Sequence, residues 1–416
     1  MKLQQIIELD KCDSLARKRE EFELPEDKIY LDGNSLGPLT KKSALRVREV
    51  IEQQWGQDLI SSWNSHRWID LPCVAGEKIA PLLGAEPGQV ICCDSISINL
   101  YKLLACALQK QAKSERNIIL SQQDNFPTDL YAVEGLAQLT GETSCELMLA
   151  DETSISSVLT NPGNRIAVLL LTQVNFRTGK LHDIQQLTEL AHQHGALVVW
   201  DLAHSTGVLP LRLDDWNVDF AVGCGYKYLN GGPGAPAFIY AAKRHLSSIN
   251  QPLKGWMGHR DPFEFSSRYQ AADGITQFLC GTPSIISMSA LDAALELYAD
   301  ISVDQVRTKS IALSELFLTL KDEHECLASL VLVSPRRSSL RGSQLAFEHT
   351  SAYAICQALA ERQVVADFRH PNILRLGFSP LALRYEDIWK SVQALSEVMT
   401  QQIYLEDRFK RRARVT

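Results

Sequence analysis

Leu197-Val-Val-Trp-Asp-Leu-Ala-His204 and, a little further on, Phe220-Ala-Val-Gly-Cys-Gly-Tyr-Lys-Tyr-Leu-Asn-Gly-Gly-Pro-Gly234 hold the pattern that decides the fold. Each opens on a short apolar run. The first run ends on Asp201, and Lys227 follows the second just before a glycine-rich turn. Short apolar runs bounded by such turns read as buried strands. Working outward, the same kind of run recurs at Val90–Cys92, Asn117–Leu120, Ile166–Leu171 and Ala237–Tyr240. Between them, Leu100–Lys110, Thr128–Gln138 and Ile184–His194 carry helical apolar spacing. This alternation implies an α/β fold, a largely parallel sheet covered by helices. Such sheets take their ligands beyond the carboxyl ends of the strands, where Asp201 and Lys227 are expected to meet.

After about residue 290 the pattern changes. A long, interrupted helical stretch from Ser287 to Thr319 leads into strand-like pieces at Leu330–Val333, Gln344–Phe347, Val364–Asp367 and Ile373–Leu376. A last helix is expected over Tyr385–Leu405. The chain therefore divides into an N-terminal segment over 1–60, a large domain over 61–290 and a smaller α+β domain over 291–416. A length of 416 residues suits more than one core. Charges sum to −7, which offers no broad basic face to nucleic acid or to an anionic membrane. The one basic cluster, Arg408–Arg414, reads as a solvated tail. No stretch is apolar enough for a spanning helix, and the N-terminus lacks a leader-like apolar region. Ten cysteines without Cys-x-x-Cys pairs read as reduced thiols, so the expected compartment is the cytoplasm.

Lysine and aspartate at neighbouring strand ends suit one cofactor in particular. Pyridoxal phosphate needs an amine for its Schiff base and a carboxylate that keeps its ring nitrogen protonated. Singly, Lys227 is also a plain loop lysine and Asp201 a plain helix cap. Ser95-Ile-Ser-Ile-Asn99 opens a helix, where backbone amides and a hydroxyl cradle phosphate; Ser97 is equally readable as an N-cap. In Asn125-Phe-Pro-Thr-Asp129, Pro127 suits a first helical turn, and Phe126 either lies on a heteroaromatic ring or staples the helix. Other motifs lead away from this chemistry. Gly33-Asn-Ser-Leu-Gly37 matches a nucleophile elbow at Ser35, but only 34 residues precede it, too few for the sheet an elbow requires. Gly231-Gly-Pro-Gly234 lacks the Gly-Lys-Ser/Thr of a phosphate loop, and the histidines show no metal-ligand spacing.

Taken together, Leu31–Gly37, Asn125–Asp129, Trp200–His204, Tyr226–Gly234, Gly255-Trp-Met-Gly-His259, Leu279-Cys-Gly-Thr282 and Leu374-Arg-Leu-Gly-Phe378 resemble kynureninases, most closely the bacterial form. The resemblance runs essentially end to end. It implies an aspartate-aminotransferase-like fold of type I, a homodimer, and hydrolysis of L-kynurenine to anthranilate and L-alanine. It assigns Lys227 to the Schiff base, Asp201 to the pyridine nitrogen, Phe126 to the ring face and His204 to the cofactor's side. Ile96, Ser97, Pro127, Thr128, Asp129, Thr172, Tyr226, Trp256 and Thr282 complete the implied cofactor shell. Tyr226 is the candidate proton relay. Arg375 matches the family's clamp for the substrate α-carboxylate, with Asn34 and Ser35 beside the substrate. Trp63, in Ser62-Trp-Asn-Ser65, stands where animal members that act on the 3-hydroxylated substrate have histidine, so unhydroxylated kynurenine is expected. No metal is implied. Three other classes stay open: a cysteine desulfurase or other β-lyase using Cys224 or Cys280, a non-catalytic pyridoxal-binding protein, and a serine hydrolase at Ser35.

Overall fold

In the computed structural model, which describes residues 1–141 and 143–412, three buried apolar clusters pack around two main sheets and a third of two strands. The end of the basic run Arg408–Arg414 lies outside the described residues. The strands are β1 (Ile29–Tyr30), β2 (Val90–Cys92), β3 (Ile118–Gln122), β4 (Glu146–Ala150), β5 (Ile166–Thr172), β6 (Leu197–Asp201) and β7 (Phe220–Cys224). They continue as β8 (Ala237–Ala241), β9 (Val331–Leu332), β10 (Gln344–Glu348), β11 (Val364–Val365), β12 (Asp367–Arg369) and β13 (Ile373–Gly377).

The larger sheet has the order β2-β8-β7-β6-β5-β3-β4. From β4 to β7 neighbouring strands run parallel; β8 runs antiparallel to both β7 and β2. The fold is thus α/β with a mostly parallel sheet, as the alternation predicts. Every residue of β5 and β7 is buried, which is what strands covered on both faces require. On one face lies the helix Ile96–Gln111, buried through Leu100, Leu103, Leu104 and Ala107. On the other, Ile184–Gln193 presents Ile184, Leu187 and Ala191, and Asp183 caps it by accepting from Gln186 N at 3.0 Å.

The smaller sheet, β12-β13-β10-β9, is antiparallel throughout. The helices Val303–Asp322, Ala352–Glu361 and Tyr385–Thr400 supply Phe317, Ile355 and Val392 to its core. Ile6 and Leu31 of the N-terminal segment join that same core. Three expectations change. The edge strand β4 was not foreseen. The run Val364–Asp367 is two strands, because the chain changes partner at Ala366: β11 pairs with β1, β12 with β13. The last helix stops at Thr400, where Gln402 turns left-handed at φ 54°.

Candidate active site

The carboxyl ends of β5, β6 and β7 bring three polar groups to one edge. Thr172 closes β5 and lies in register with Asp201, which closes β6. Asp201 is 2% exposed, and its Oδ1 accepts from Ala203 N at 2.7 Å. Burial raises its proton affinity, with Lys227 as the opposing charge. Lys227 stands on the turn after β7, held because Asn230 N donates to Lys227 O at 2.9 Å and Gly231 N to Gly225 O at 2.8 Å. The turn needs Asn230 left-handed at φ 58°. Lys227 Nζ lies 3.1 Å from His204 Nε2. Burial, and then Lys227 itself, drives His204 well below the usual imidazole range. His204 is therefore neutral and accepts at Nε2. Its Nδ1, buried, has no partner among the described residues.

These groups open into a cavity of about 200 Å³. One wall is the start of the helix Ile96–Gln111, where Ile96 and Ser97 line the space. Ser95, not Ser97, caps this helix by accepting from Ile98 N, so the Ser97 hydroxyl is left for the cavity. Phe126, 39% exposed, forms another wall with Thr128 and packs edge-on against Phe176 at 5.2 Å. Pro127 is the first residue of the helix Pro127–Thr140. Asp129 lies buried in the same helical turn, with Oδ2 3.2 Å from Thr172 Oγ1. Burial and the Asp201 charge push its carboxyl well above the usual carboxylate range, against the pull of Thr172 and Lys227. Its Oδ1 also lacks a partner among the described residues. Tyr226 lines the cavity too; burial raises its phenol, which stays protonated at neutral pH.

The arrangement suits a flat, phosphorylated heterocycle bearing an aldehyde. It offers an amine at Lys227, a carboxylate at Asp201, an aromatic wall at Phe126, and a helix start with a hydroxyl at Ser97. The two orphaned buried atoms, on Asp129 and His204, leave polar capacity for such a guest. Pyridoxal phosphate fits these residues.

Not every expected site residue meets there. Arg375, 1% exposed in the middle of β13, lies behind Phe176 and donates from Nη1 to Phe176 O. Its Nη2 bonds Ser35 Oγ at 2.9 Å and pairs with Asp367. Ser35 is tied to Arg375, Arg369 and Asp367 rather than to a histidine, so it has no base and is not a nucleophile. Asn34 donates from Nδ2 to Gln344 Oε1 at 3.1 Å. Trp63, Trp256 and Thr282 line a separate cavity of about 550 Å³, together with Phe263. Of the two candidate catalytic cysteines, Cys224 is buried with Sγ toward Ala203 O at 3.7 Å, and Cys280 Sγ points to Leu253 O at 2.9 Å. Neither sits on a free loop over Lys227.

Sequence reasoning missed Phe176, Asp367 and Arg369. Phe176 follows a strand end, as the other site residues do, and that position was a usable signal. Asp367 and Arg369 alternate on one face of β12, but only the register, Asp367 opposite Arg375, gives them meaning.

A family model described as the kynureninase C-terminal domain matches residues 306–395. The chain is 45% identical to a protein named kynureninase from Burkholderia pseudomallei strain 1106a, over 99% of both chains. It is 43% identical to one of the same name from Pseudomonas fluorescens, over 98% of both. Among solved structures, the apo cysteine desulfurase from Thermococcus onnurineus NA1 matches with TM-score 0.76 at 18% identity, over 92% of this chain and 97% of that one. A C-DES mutant with glycine covalently linked to its pyridoxal-phosphate cofactor matches with TM-score 0.78 at 16% identity, over 91% and 99%. At such identities the solved structures carry the fold alone, which is type I of the pyridoxal-phosphate enzymes.

Proposed function

The chain belongs to the kynureninase family, and from that premise we propose that it hydrolyses L-kynurenine at the Cβ–Cγ bond, giving anthranilate and L-alanine, with pyridoxal phosphate as cofactor. The observation that carries the reading at the site is the meeting of Lys227, neutral His204 and buried Asp201 in one slot. When bound, pyridoxal phosphate supplies an electrophilic carbon and a sink for the electrons left on the substrate carbon. Lys227 would hold the cofactor covalently, and its amine would serve as base for the substrate α-proton. Asp201 would keep the ring nitrogen protonated. His204, uncharged, accepts a hydrogen bond from Lys227 without adding a second positive charge to the slot. Tyr226, protonated, is the donor for the later proton returns. Arg375 takes the substrate α-carboxylate, with Ser35 and Asn34 behind it.

The same family membership leads us to propose a homodimer in the cytoplasm; no helix among the described residues is long and apolar enough to cross a membrane. The desulfurase alternative is weaker, since Cys224 closes the buried strand β7 in the wall of the Lys227 cavity rather than standing on a loop, and Cys280 is engaged by Leu253 O. The test is product stoichiometry. Purified, cofactor-loaded protein should form anthranilate and alanine in equal amounts from L-kynurenine, and borohydride should fix the cofactor on Lys227 in a peptide map. Sulfur release from cysteine without anthranilate formation would overturn the reading.

A further inference from the structure

The expected carboxylate clamp does not stand free in this structure. Arg375 is buried, and three of its five N–H groups are already engaged: one by Phe176 O, one by Ser35 Oγ and one by Asp367 Oδ2. Its Nε, buried, has no partner among the described residues. Asp367 lies directly opposite Arg375 in the β12–β13 register and is itself 2% exposed. A second guanidinium, Arg369, reaches the same carboxylate oxygen at 3.0 Å and donates to Ser35 Oγ at 3.2 Å. A second carboxyl, Asp32, faces the same guanidinium, and Arg375 in turn reaches Phe176, a residue in the wall of the Lys227 cavity.

We infer that Asp367 is a positioning residue for carboxylate recognition: its pairing with Arg375 across the β12–β13 ladder, assisted by Ser35, turns the guanidinium so that its unpartnered Nε–H is kept for the substrate. This rests on the reading of Arg375 as the α-carboxylate ligand. A guanidinium has five donors in a rigid plane, so holding Nη1 and Nη2 fixes the direction of the Nε–H as well. Without Asp367 the side chain keeps its charge and loses its direction. Misplacing a binding group by about 1 Å is enough to cost large factors in productive binding.

The experiment compares L-kynurenine with kynuramine, the same molecule without the α-carboxylate. In Asp367→Asn, KM for L-kynurenine should rise by at least about tenfold while kcat falls by less than about threefold, the split expected for lost uniform binding. The inhibition constant of kynuramine should change by less than about twofold. Calorimetric binding of L-alanine, which carries the carboxylate and is not turned over, should weaken in parallel with KM. Ser35→Ala should show a smaller loss of the same carboxylate-specific kind, which keeps the test usable if Asp367→Asn folds poorly. Equal weakening for kynuramine and L-kynurenine would mean a merely structural role and overturn the inference. Arg375→Ala separates the two levels. If it abolishes the preference for the carboxylate while Asp367→Asn and Ser35→Ala keep it, the positioning role falls alone. If Arg375→Ala keeps the preference, the reading of Arg375 falls and takes this inference with it.

Discussion

At the residue scale, burial decides which charges the site tolerates. Asp32, in the turn beside Ser35, is pushed up to about 6, first by desolvation and then by the nearby Asp367 charge. Ser35, Arg375 and Arg369 pull the other way without cancelling that. A carboxyl raised above its unfolded value, about 4, binds its proton more tightly in the native state. Between about 4 and 6 the folded chain thus holds more protons, and stability falls as pH rises through that window. Asp32→Asn removes the ionisation. The variant should gain melting temperature over the parent at about pH 8 and show a markedly smaller gain, or none, at about pH 4.5. Thermal melts across this range check it; an offset independent of pH would exclude Asp32 as the cause. Asp32 also shows what single residues leave unsaid in a sequence. Lys227 and Asp201 were legible, because an amine and a carboxylate closing apolar runs have few other reasons to coincide. Arg375 was legible only through family resemblance. Asp367 and Arg369 were not, since their meaning is a cross-strand pairing that no local pattern contains.

At the element scale, what the sequence shows depends on how completely an element is buried. The fully buried strands β5 and β7 are continuous apolar runs and could be placed within a residue or two. The strand β4 sits at the sheet edge with Glu146 at its start and most of its residues only half-buried; its apolar run Leu147–Ala150 was the signal that could have placed it. The two-residue strands β1 and β11 exist only as each other's partners. Helix ends are governed by finer features. The helix Leu71–Leu83 closes on Gly84 at φ 62°, left-handed, where its N–H returns to Pro81 O. A Cβ there would come within 2.7 Å of Arg212 Cα and Leu211 O, both backbone. Gly84→Ala therefore combines a disfavoured backbone with a clash that no rotamer relieves. It should lose about 1–3 kcal/mol of stability, read as a lower denaturant midpoint with unchanged slope. A midpoint within error of the parent would show that this cap yields easily.

At the scale of the whole molecule, the turn Asp32–Gly37 links the two sheets at the site. Gly37 N donates to Tyr226 O at 2.8 Å, next to Lys227, and Gly377 N donates to Leu31 O at 2.7 Å, next to Arg375. A side chain at Gly37 would run into Lys227 O, so the close approach requires glycine. The proposed division at about residues 60 and 290 thus places the site where all three segments touch. One group of site residues still stands apart: Trp63, Trp256 and Thr282 line their own cavity, and Trp256 with Phe263 and Phe265 forms an exposed aromatic cluster. We propose a homodimer in which this face covers the partner's Lys227 slot, which would give these residues a role in the same reaction. In that arrangement Trp63 meets the aryl end of the substrate. It fills space and offers a single N–H donor, whereas a phenolic hydroxyl buried without a partner costs about 1–3 kcal/mol. The kcat/KM ratio should therefore favour kynurenine over 3-hydroxykynurenine, and Trp63→His should shift it toward the hydroxylated substrate; an unchanged ratio would remove Trp63 as its source. The shared site itself is tested by mixing two inactive variants. Lys227→Ala loses the covalent anchor of its own slot, and Trp256→Ala loses the residue lent to the neighbour's slot. In a hybrid dimer, one slot combines Lys227 of one subunit with Trp256 of the other, and both are intact; the second slot lacks both. Subunit exchange should then restore activity approaching a quarter of the parent's, because about half of the dimers are hybrids and each has one good slot of two. If Trp256 served the slot of its own chain, every slot in every dimer would lack one residue, and mixing would restore nothing.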